Sequence, residues 1–164
     1  ARLPAALEKA AQAGVDFVVI DTPARSEQSA LAAAKAADLV IIPCRPQAYD
    51  LETVPNTLEI VKLAGGKPAL AVLNAIAHQG NRHEQARAYL DSLDAHVCPQ
   101  MIGTRAAFGD AGALGLAALE YDPASKAAME SLQVYKYIYR LLNKPTQEVA
   151  HGRQAKARSK RAAV

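Results

Sequence analysis

The sequence predicts an α/β fold, with a doubly wound, mostly parallel sheet and helices on both faces. Three apolar segments alternate with alanine-rich segments of helical periodicity, the order expected when helices connect parallel strands. The segments are Asp16–Ile20, Asp38–Ile42 and Ala69–Leu73. Their apolar residues are consecutive rather than alternating, which is typical of strands covered on both faces. With 164 residues, about half of them apolar, the chain is long enough for one core.

Two weaker elements lie at the ends of this pattern. The chain starts with Ala1 rather than Met and opens directly in a helical pattern over 3–11, so we expect residues to precede it in the gene product. Ala95–Cys98 is a fourth strand candidate. We expect it nearer an edge of the sheet, where burial is less complete.

Several residue types mark helix ends. Gly65–Gly66 predict the end of the helix before the third apolar segment. Its start is ambiguous, because Pro55 could be the first helical residue or could kink a helix that Asp50 caps. Asn81–Glu84 has the spacing of a capping box, and Asp122–Pro123 predicts a capped start for the last helix.

The last helix should run from 125 to 142 and pack on the sheet through one apolar face. That face is predicted to contain Ala128, Leu132, Tyr135, Tyr139 and Leu142. Its tyrosines favour packing over a base-stacking platform. We place one domain at residues 1–143, followed by a tail at 144–164 that is expected to be disordered.

The excess positive charge lies in that tail. The net charge is +3, yet five basic residues and no acid fall between 151 and 164, so the rest of the chain is slightly acidic. The five are Arg153, Lys156, Arg158, Lys160 and Arg161. Such a segment can bind a phosphate backbone by counterion release, or can simply be solvated.

Other residue classes exclude some functions. No apolar run approaches the ~20 residues of a membrane span, and no signal peptide is present, which predicts a cytoplasmic protein. Cys44 and Cys98 have no metal-ligand spacing and are interpreted as buried thiols. His78 and His83 lack the spacing of four that a helical metal pair needs, so we expect them to be solvated.

Chemistry is expected just after each strand, because ligands of doubly wound sheets bind beyond the carboxyl ends of the strands. The segments there are Asp21–Ala24, Pro43–Pro46 and Asn74–Ala75. A carboxylate at a buried strand tip needs a cation, a backbone donor or a metal-bound water. Magnesium with a nucleotide phosphate would satisfy Asp21, and so would a role as the cap of the following helix.

Four segments in order resemble the ParA/MinD group of deviant Walker ATPases. They are Val18–Ala24, Ala36–Pro43, Ala71–Asn74, and Gly115 with Glu120–Lys126. The resemblance covers roughly residues 1–143 and implies a P-loop NTPase-like fold that is incomplete at the N-terminus. It also implies ATP and magnesium as cofactors of the complete protein.

The resemblance implies site residues as well. Asp21 would hold the water shell of magnesium, and Pro23 would lie in the segment that senses the γ-phosphate. Asn74 would contact the purine edge. The loop that wraps the adenine would comprise Ile102, Gly103 and Thr104. The sequence departs from the family here, because a proline is commoner where Gly103 stands.

A larger departure is the missing phosphate-binding loop. No G-x-x-x-x-G-K-[ST] pattern occurs in the sequence, so the chain alone should not hydrolyse ATP. In related folds the strand of that loop lies between the strands matched by 16–20 and 38–43. Its absence should leave a gap lined by Val and Ile or bring those two strands together, and should lower stability.

The implied function is an ATPase of plasmid or chromosome partitioning. ATP would drive homodimerisation and nonspecific DNA binding, and a ParB-like partner would stimulate hydrolysis near the nucleoid. DNA contacts would come from Arg105, Lys126 and the tail, although a solvated helix face explains the first two as well. The tail lacks the apolar face of a MinD-type membrane helix, so we expect no membrane attachment.

Two alternatives come from other classes. One is a noncatalytic interaction module that has lost the phosphate-binding loop. The other is a receiver-like domain, which would need clustered acids at a neighbouring strand end, and none follow Pro43 or Asn74.

Overall fold

The computed structural model of the chain describes residues 2–23 and 26–143. Within these ranges two strands and eight helices follow one another in α/β order. They are α1 (Arg2–Gln12), α2 (Glu27–Ala36), β1 (Val40–Cys44), α3 (Ala48–Glu52), α4 (Val54–Leu63), β2 (Ala69–Leu73), α5 (Arg82–Ser92), α6 (Ala106–Ala113), α7 (Ala118–Tyr121) and α8 (Lys126–Asn143). The predicted tail lies outside the described residues.

The sheet is parallel, as the apolar segments predict. β1 pairs with β2 in a register that runs from Val40 opposite Ala69 to Cys44 opposite Leu73. An extended segment at 96–104 lies beside β2 and is joined to it by isolated parallel bridges, Ala71 with Val97 and Ile76 with Gly103. The second predicted strand is therefore confirmed with bounds two residues later, and the third is confirmed as predicted.

Helices cover both faces of this sheet, which confirms the doubly wound prediction. On one face, Leu70 and Val72 of β2 contact Cys98 of the 96–104 segment and Val134 of α8. The alternate residues Ala71 and Leu73 pack on the other face with side chains of α4 and α5, which include Val54, Ala86 and Leu90. Because successive strand residues point to opposite faces, a consecutive apolar run is what a sheet covered on both sides requires.

The prediction that 16–20 forms a buried strand is wrong. Val19 is 93% exposed, Phe17 and Val18 are about half exposed, and the segment has no strand partner among the described residues. A run of β-branched residues becomes a strand only where a neighbour satisfies its backbone groups. Of the two outcomes expected from the missing loop, pairing of 16–20 with β1 is not observed among the described residues.

The open side of β1 follows from its register. Val40 donates to Pro68 O at 2.9 Å and Cys44 O accepts from Asn74 at 2.9 Å, so these residues face β2. The intervening Ile41 and Pro43 therefore direct their backbone groups toward the other edge, which has no partner strand in the described part of the chain. Pro43 has no N–H to leave unpaired there, which suits an edge strand.

The helices follow the sequence with three corrections, two at helix ends and one in a packing face. Gly65 and Gly66 adopt positive φ values of 100° and 68° and end α4, as predicted, and Pro55 lies in its first turn. Asn81 precedes α5 but makes no side-chain capping bond, so the predicted capping box is wrong. Asp122 does not cap the last helix, since Ser125 Oγ accepts the Ala128 N–H at 3.1 Å and takes that role.

The third correction concerns the face of α8 that packs on the sheet. Ala128 is fully buried as predicted, but Tyr135 is 54% exposed and Tyr139 and Leu142 are also exposed. The buried stripe runs through Ala127, Ala128 and Val134, with Ile138 and Leu141 alongside. Tyr139 instead contacts Phe17, with ring centroids 5.8 Å apart.

The fourth strand candidate is partly confirmed. The 96–98 segment pairs with β2 at the edge of the described sheet, where Ala71 N donates to His96 O and Cys98 N to Ala71 O, both at 2.8 Å. Cys98 is nonetheless fully buried and Val97 nearly so, which contradicts the expected lower burial. The reason is that Cys98 packs with Val134 of α8, whereas Val97 packs with Ala71 and Leu73 of β2.

Candidate functional site

Asn74 lies at the carboxyl edge of the sheet, directly after β2. Its backbone N–H donates to Cys44 O at 2.9 Å, which ties it to the end of β1. Its Oδ1 accepts the N–H of Ala75 at 2.7 Å. The side-chain Nδ2 has no partner among the described residues, so it remains able to donate to a ligand. The half-buried side chain is thereby held at the position where doubly wound sheets bind ligands.

The turn after Asn74 is strained. Ala75 has a φ of 53°, in the left-handed region that a residue with a Cβ enters at a cost of about 1–2 kcal/mol. The hydrogen bond from Ala75 N–H to Asn74 Oδ1 orients the Asn74 amide. Local strain of this kind is often found at ligand-binding positions.

The loop at 102–104 is fastened to the end of β2. Ile102 N donates to Leu73 O at 3.0 Å, Thr104 N to Ile76 O at 2.9 Å, and Ile76 N to Ile102 O at 3.0 Å. The structure thus brings the predicted adenine loop beside the predicted purine-contacting Asn74. Gly103 is buried in this loop, Ile102 is half-buried and Thr104 is exposed.

A carboxylate from α8 joins this loop. Glu130 Oε2 accepts the Gly103 N–H at 3.0 Å, and Arg105 donates to both carboxylate oxygens, from Nε at 3.4 Å and from Nη2 at 2.5 Å. The Arg105 and Glu130 side chains are only 26% and 22% exposed. The pair therefore lies in a partly desolvated position, where a fork-shaped guanidinium holds a carboxylate best.

The protonation of this pair follows from its contacts. Burial acts to raise the pKa of Glu130, but the hydrogen bonds from Arg105 and the Gly103 N–H outweigh it, so the pKa lies below its ordinary value. The hydrogen bond to Glu130 raises the pKa of Arg105. Both groups are therefore charged at neutral pH.

A cavity of about 460 Å³ opens beside the loop. Its walls combine apolar side chains with hydrogen-bonding groups, and a small organic ligand commonly occupies a cavity of ~300–1,000 Å³. Residues lining it include Ile76, His78, Gln100, Met101, Gly103, Arg105, Glu130 and Gln133. A second cavity of about 70 Å³ lies between the ends of β1 and β2 and the start of α5.

Asp21 and Pro23 lie elsewhere. Both are exposed on the unpaired segment that follows α1, and neither lines either cavity. Asp21 is thus not held at a buried strand tip. Magnesium in nucleotide sites takes one or two carboxylates plus phosphate oxygens. Within 2–23 and 26–143, no group of three His, Cys, Asp or Glu residues is placed to hold a metal ion.

The basic residues predicted to bind DNA are separated. Arg105 is engaged by Glu130, whereas Lys126 is exposed at the first turn of α8. The five basic tail residues lie outside the described ranges. Lys126 is therefore the described member of the predicted set that is free to meet a phosphate backbone.

The cysteines are buried free thiols, as predicted. Burial raises the pKa of both Cys44 and Cys98, so neither behaves as a reactive thiolate.

His78 is exposed and His83 is half-buried. No helix in the described ranges is long and apolar enough to cross a membrane.

Sequence reasoning missed Glu130 and the cavity. A glutamate on a helix that carries charge on its outer side gives no local signal, and its partner Gly103 lies 27 positions earlier in the chain. The signal that could have been used is Gly103 itself, since a glycine where a proline is commoner indicates a special backbone contact.

Comparison with known families identifies the segment that carries the resemblance. A family model described as ATPase MipZ matches residues 1–94, which is more than half of the chain. The match includes β1, β2 and Asn74, but ends before the loop at 102–104. No curated protein matches the chain at a significant level.

Proposed function

Since the chain belongs to the ATPase MipZ family, a ParA/MinD-like group of deviant Walker ATPases involved in chromosome segregation, we propose that its cavity edge is the base-binding part of an ATP-dependent DNA-partitioning switch. Nucleotide binding itself is what the family implies. The finer assignments, to ATP with magnesium, to homodimerisation and to DNA, are our proposal.

The juxtaposition of Asn74 with the 102–104 loop carries this proposal. Asn74 Nδ2 has no partner among the described residues, and three backbone hydrogen bonds hold the loop to Leu73 and Ile76, which lie on either side of the Asn74–Ala75 turn. A purine that lies between them would meet a donor suited to its ring nitrogen acceptors. The cavity of about 460 Å³, which Gly103 lines and Asn74 does not, falls in the ~300–1,000 Å³ range common for small-molecule sites.

Phosphate binding must be supplied by groups other than those described. The sequence contains no glycine-rich phosphate loop, and Asp21 is the one predicted magnesium contact. We therefore propose that turnover requires such a loop in addition to these residues. Asp21 would then face the magnesium-bound water shell once the segment at 16–20 is paired.

DNA binding would follow from exposed positive charge. Lys126 and the five basic tail residues are the proposed contacts, and Arg105 contributes little because Glu130 neutralises it. Each phosphate contact releases a counterion, so affinity should fall steeply with salt. A homodimer with ATP and a ParB-like stimulating partner complete the proposed cycle.

The test is ATP binding and turnover with magnesium, by the 164-residue chain and by the same chain extended with the upstream residues of its gene. We expect turnover only in the longer protein, and its loss in Asp21→Ala. Asn74→Ala should weaken ATP binding about tenfold, the loss expected for one ligand hydrogen bond of ~1.4 kcal/mol. Asn143→Ala is the matched control, because its side chain bonds only Tyr139 O at the end of α8.

A second candidate function rests on the exposed apolar segment. Phe17 and Val19 are exposed, and so is Ile41 on β1, whose outer edge has no partner strand among the described residues. Exposed apolar residues and an open strand edge are typical of a partner site. This favours the noncatalytic interaction module as the alternative. Absence of nucleotide binding in both proteins above, together with partner capture that is insensitive to ATP, would establish it.

A further inference from the structure

The amide of Gly103 points away from the sheet. Ile102 and Thr104, on either side of it, direct their N–H groups to β2. Gly103 lies between them, so its N–H faces α8, where Glu130 Oε2 accepts it at 3.0 Å. The loop is therefore held from two sides, by β2 through backbone groups and by α8 through one carboxylate.

Gly103 lies directly against the Arg105 guanidinium. A Cβ built on Gly103 would lie 2.8 Å from Arg105 Nη2 and 3.0 Å from Arg105 Cζ. The guanidinium occupies the space that any other side chain would fill. A larger residue at 103 would require the end of the flexible Arg105 side chain to shift, and a proline would also remove the N–H that Glu130 accepts.

We propose that Glu130 is a positioning residue for nucleotide binding, which fixes the 102–104 loop against α8 through the Gly103 amide and Arg105. This inference rests on the proposed function, because the loop matters only if it contacts the base. Glu130 acts through Gly103 rather than as a catalytic group. The Gly103–Arg105–Glu130 cluster supplies the local rigidity that a proline would otherwise provide.

Charge makes this contact suited to positioning. A carboxylate that accepts both a backbone N–H and a guanidinium forms charge-assisted bonds, which are roughly twice as strong as neutral ones. Its partial burial limits competition from water. Lys126 adds favourable charge to the same carboxylate.

The first test is amide hydrogen exchange by NMR on the 164-residue chain and its variants. In Glu130→Ala we expect the Gly103 amide to exchange about tenfold faster, since one charge-assisted bond is lost. Glu130→Gln keeps one acceptor oxygen and should be intermediate. Glu120→Ala is the control, because Glu120 Oε2 accepts the Ala117 N–H at 2.8 Å in an exposed turn away from the cavity.

The second test is titration with ATP of the chain extended by the upstream residues of its gene, as wild type and with the same substitutions, followed by NMR shifts of the loop amides. The Glu130→Ala variant should bind ATP about three- to tenfold more weakly than wild type, because it must order one loop contact on binding. Glu130→Gln should recover part of this loss, and Glu120→Ala should match wild type. If alanine at 130 unfolds the chain, the glutamine variant decides both measurements.

The outcomes separate the two proposals. Unchanged Gly103 exchange in Glu130→Ala overturns the positioning role. Faster exchange with unchanged ATP affinity also overturns it, while the proposed function stands. No ATP-dependent shift of the loop in the wild type rejects the proposed function and the positioning role together, even though the exchange data would still demonstrate the contact.

Discussion

Replacing Ala75 by glycine should relieve the strain at the end of β2. Alanine at a φ of 53° costs about 1–2 kcal/mol relative to a relaxed residue, whereas glycine adopts this conformation freely. Glycine also loses about 0.4–1 kcal/mol more entropy on folding. The difference predicts that Ala75→Gly raises the free energy of unfolding by about 0.5–1 kcal/mol.

Urea denaturation measures this change. With m about 1–3 kcal/mol/M, the midpoint should rise by roughly 0.2–1 M. Asp94→Gly is a matched control, because Asp94 has a φ of 54° just after α5 and does not line either cavity. Both variants should be stabilised, but only Ala75→Gly should also weaken ATP binding, since it loosens the turn that orients Asn74. A destabilised Ala75→Gly would refute the strain argument.

The other predictions concern burial and charge. Leu73→Ala should lower the free energy of unfolding by about 2–5 kcal/mol, because Leu73 is fully buried, whereas Leu119→Ala should lie within about 0.5 kcal/mol of wild type. In the same assay, Val19→Asn should leave the free energy of unfolding nearly unchanged because Val19 is exposed, whereas Val72→Asn should lower it strongly because Val72 is buried. Equal effects would indicate that 16–20 is a buried strand after all. Because the folded pKa of Glu130 is depressed below 4.5, its contribution is present above that pH and is lost as pH falls through the folded value. Glu130→Gln should flatten the stability–pH curve in that acidic window, and a curve of unchanged slope would contradict the proposed contacts.

Much of the fold could be predicted because its signals are local. The consecutive apolar run at 69–73 predicts a strand covered on both faces, and Leu70 and Leu73 are buried on opposite sides of it. Gly65 and Gly66 predict the end of α4, since glycine adopts positive φ without a steric penalty. These properties belong to a few neighbouring residues.

The site was predictable only in part. Asn74 and the 102–104 loop stay predictions that a family resemblance supplies, and in the structure the loop bonds Leu73 and Ile76 on either side of the Asn74–Ala75 turn. Glu130 could not be found in this way, since its contacts with Gly103 and Arg105 depend on how α8 crosses the end of the sheet.

What the sequence by itself determined is the α/β order and the parallel arrangement, because hydrophobic periodicity and turn residues act over short distances. The family followed from the resemblance of four segments to known proteins. Only the tertiary structure decided that 16–20 lies unpaired, that α8 buries Val134 rather than Tyr135, and that Arg105 meets Glu130. A segment forms a strand only when a neighbouring strand pairs with its backbone, and the face of a helix that becomes buried depends on the surface against which the helix packs. Both are pairwise properties of distant segments, which no local pattern contains.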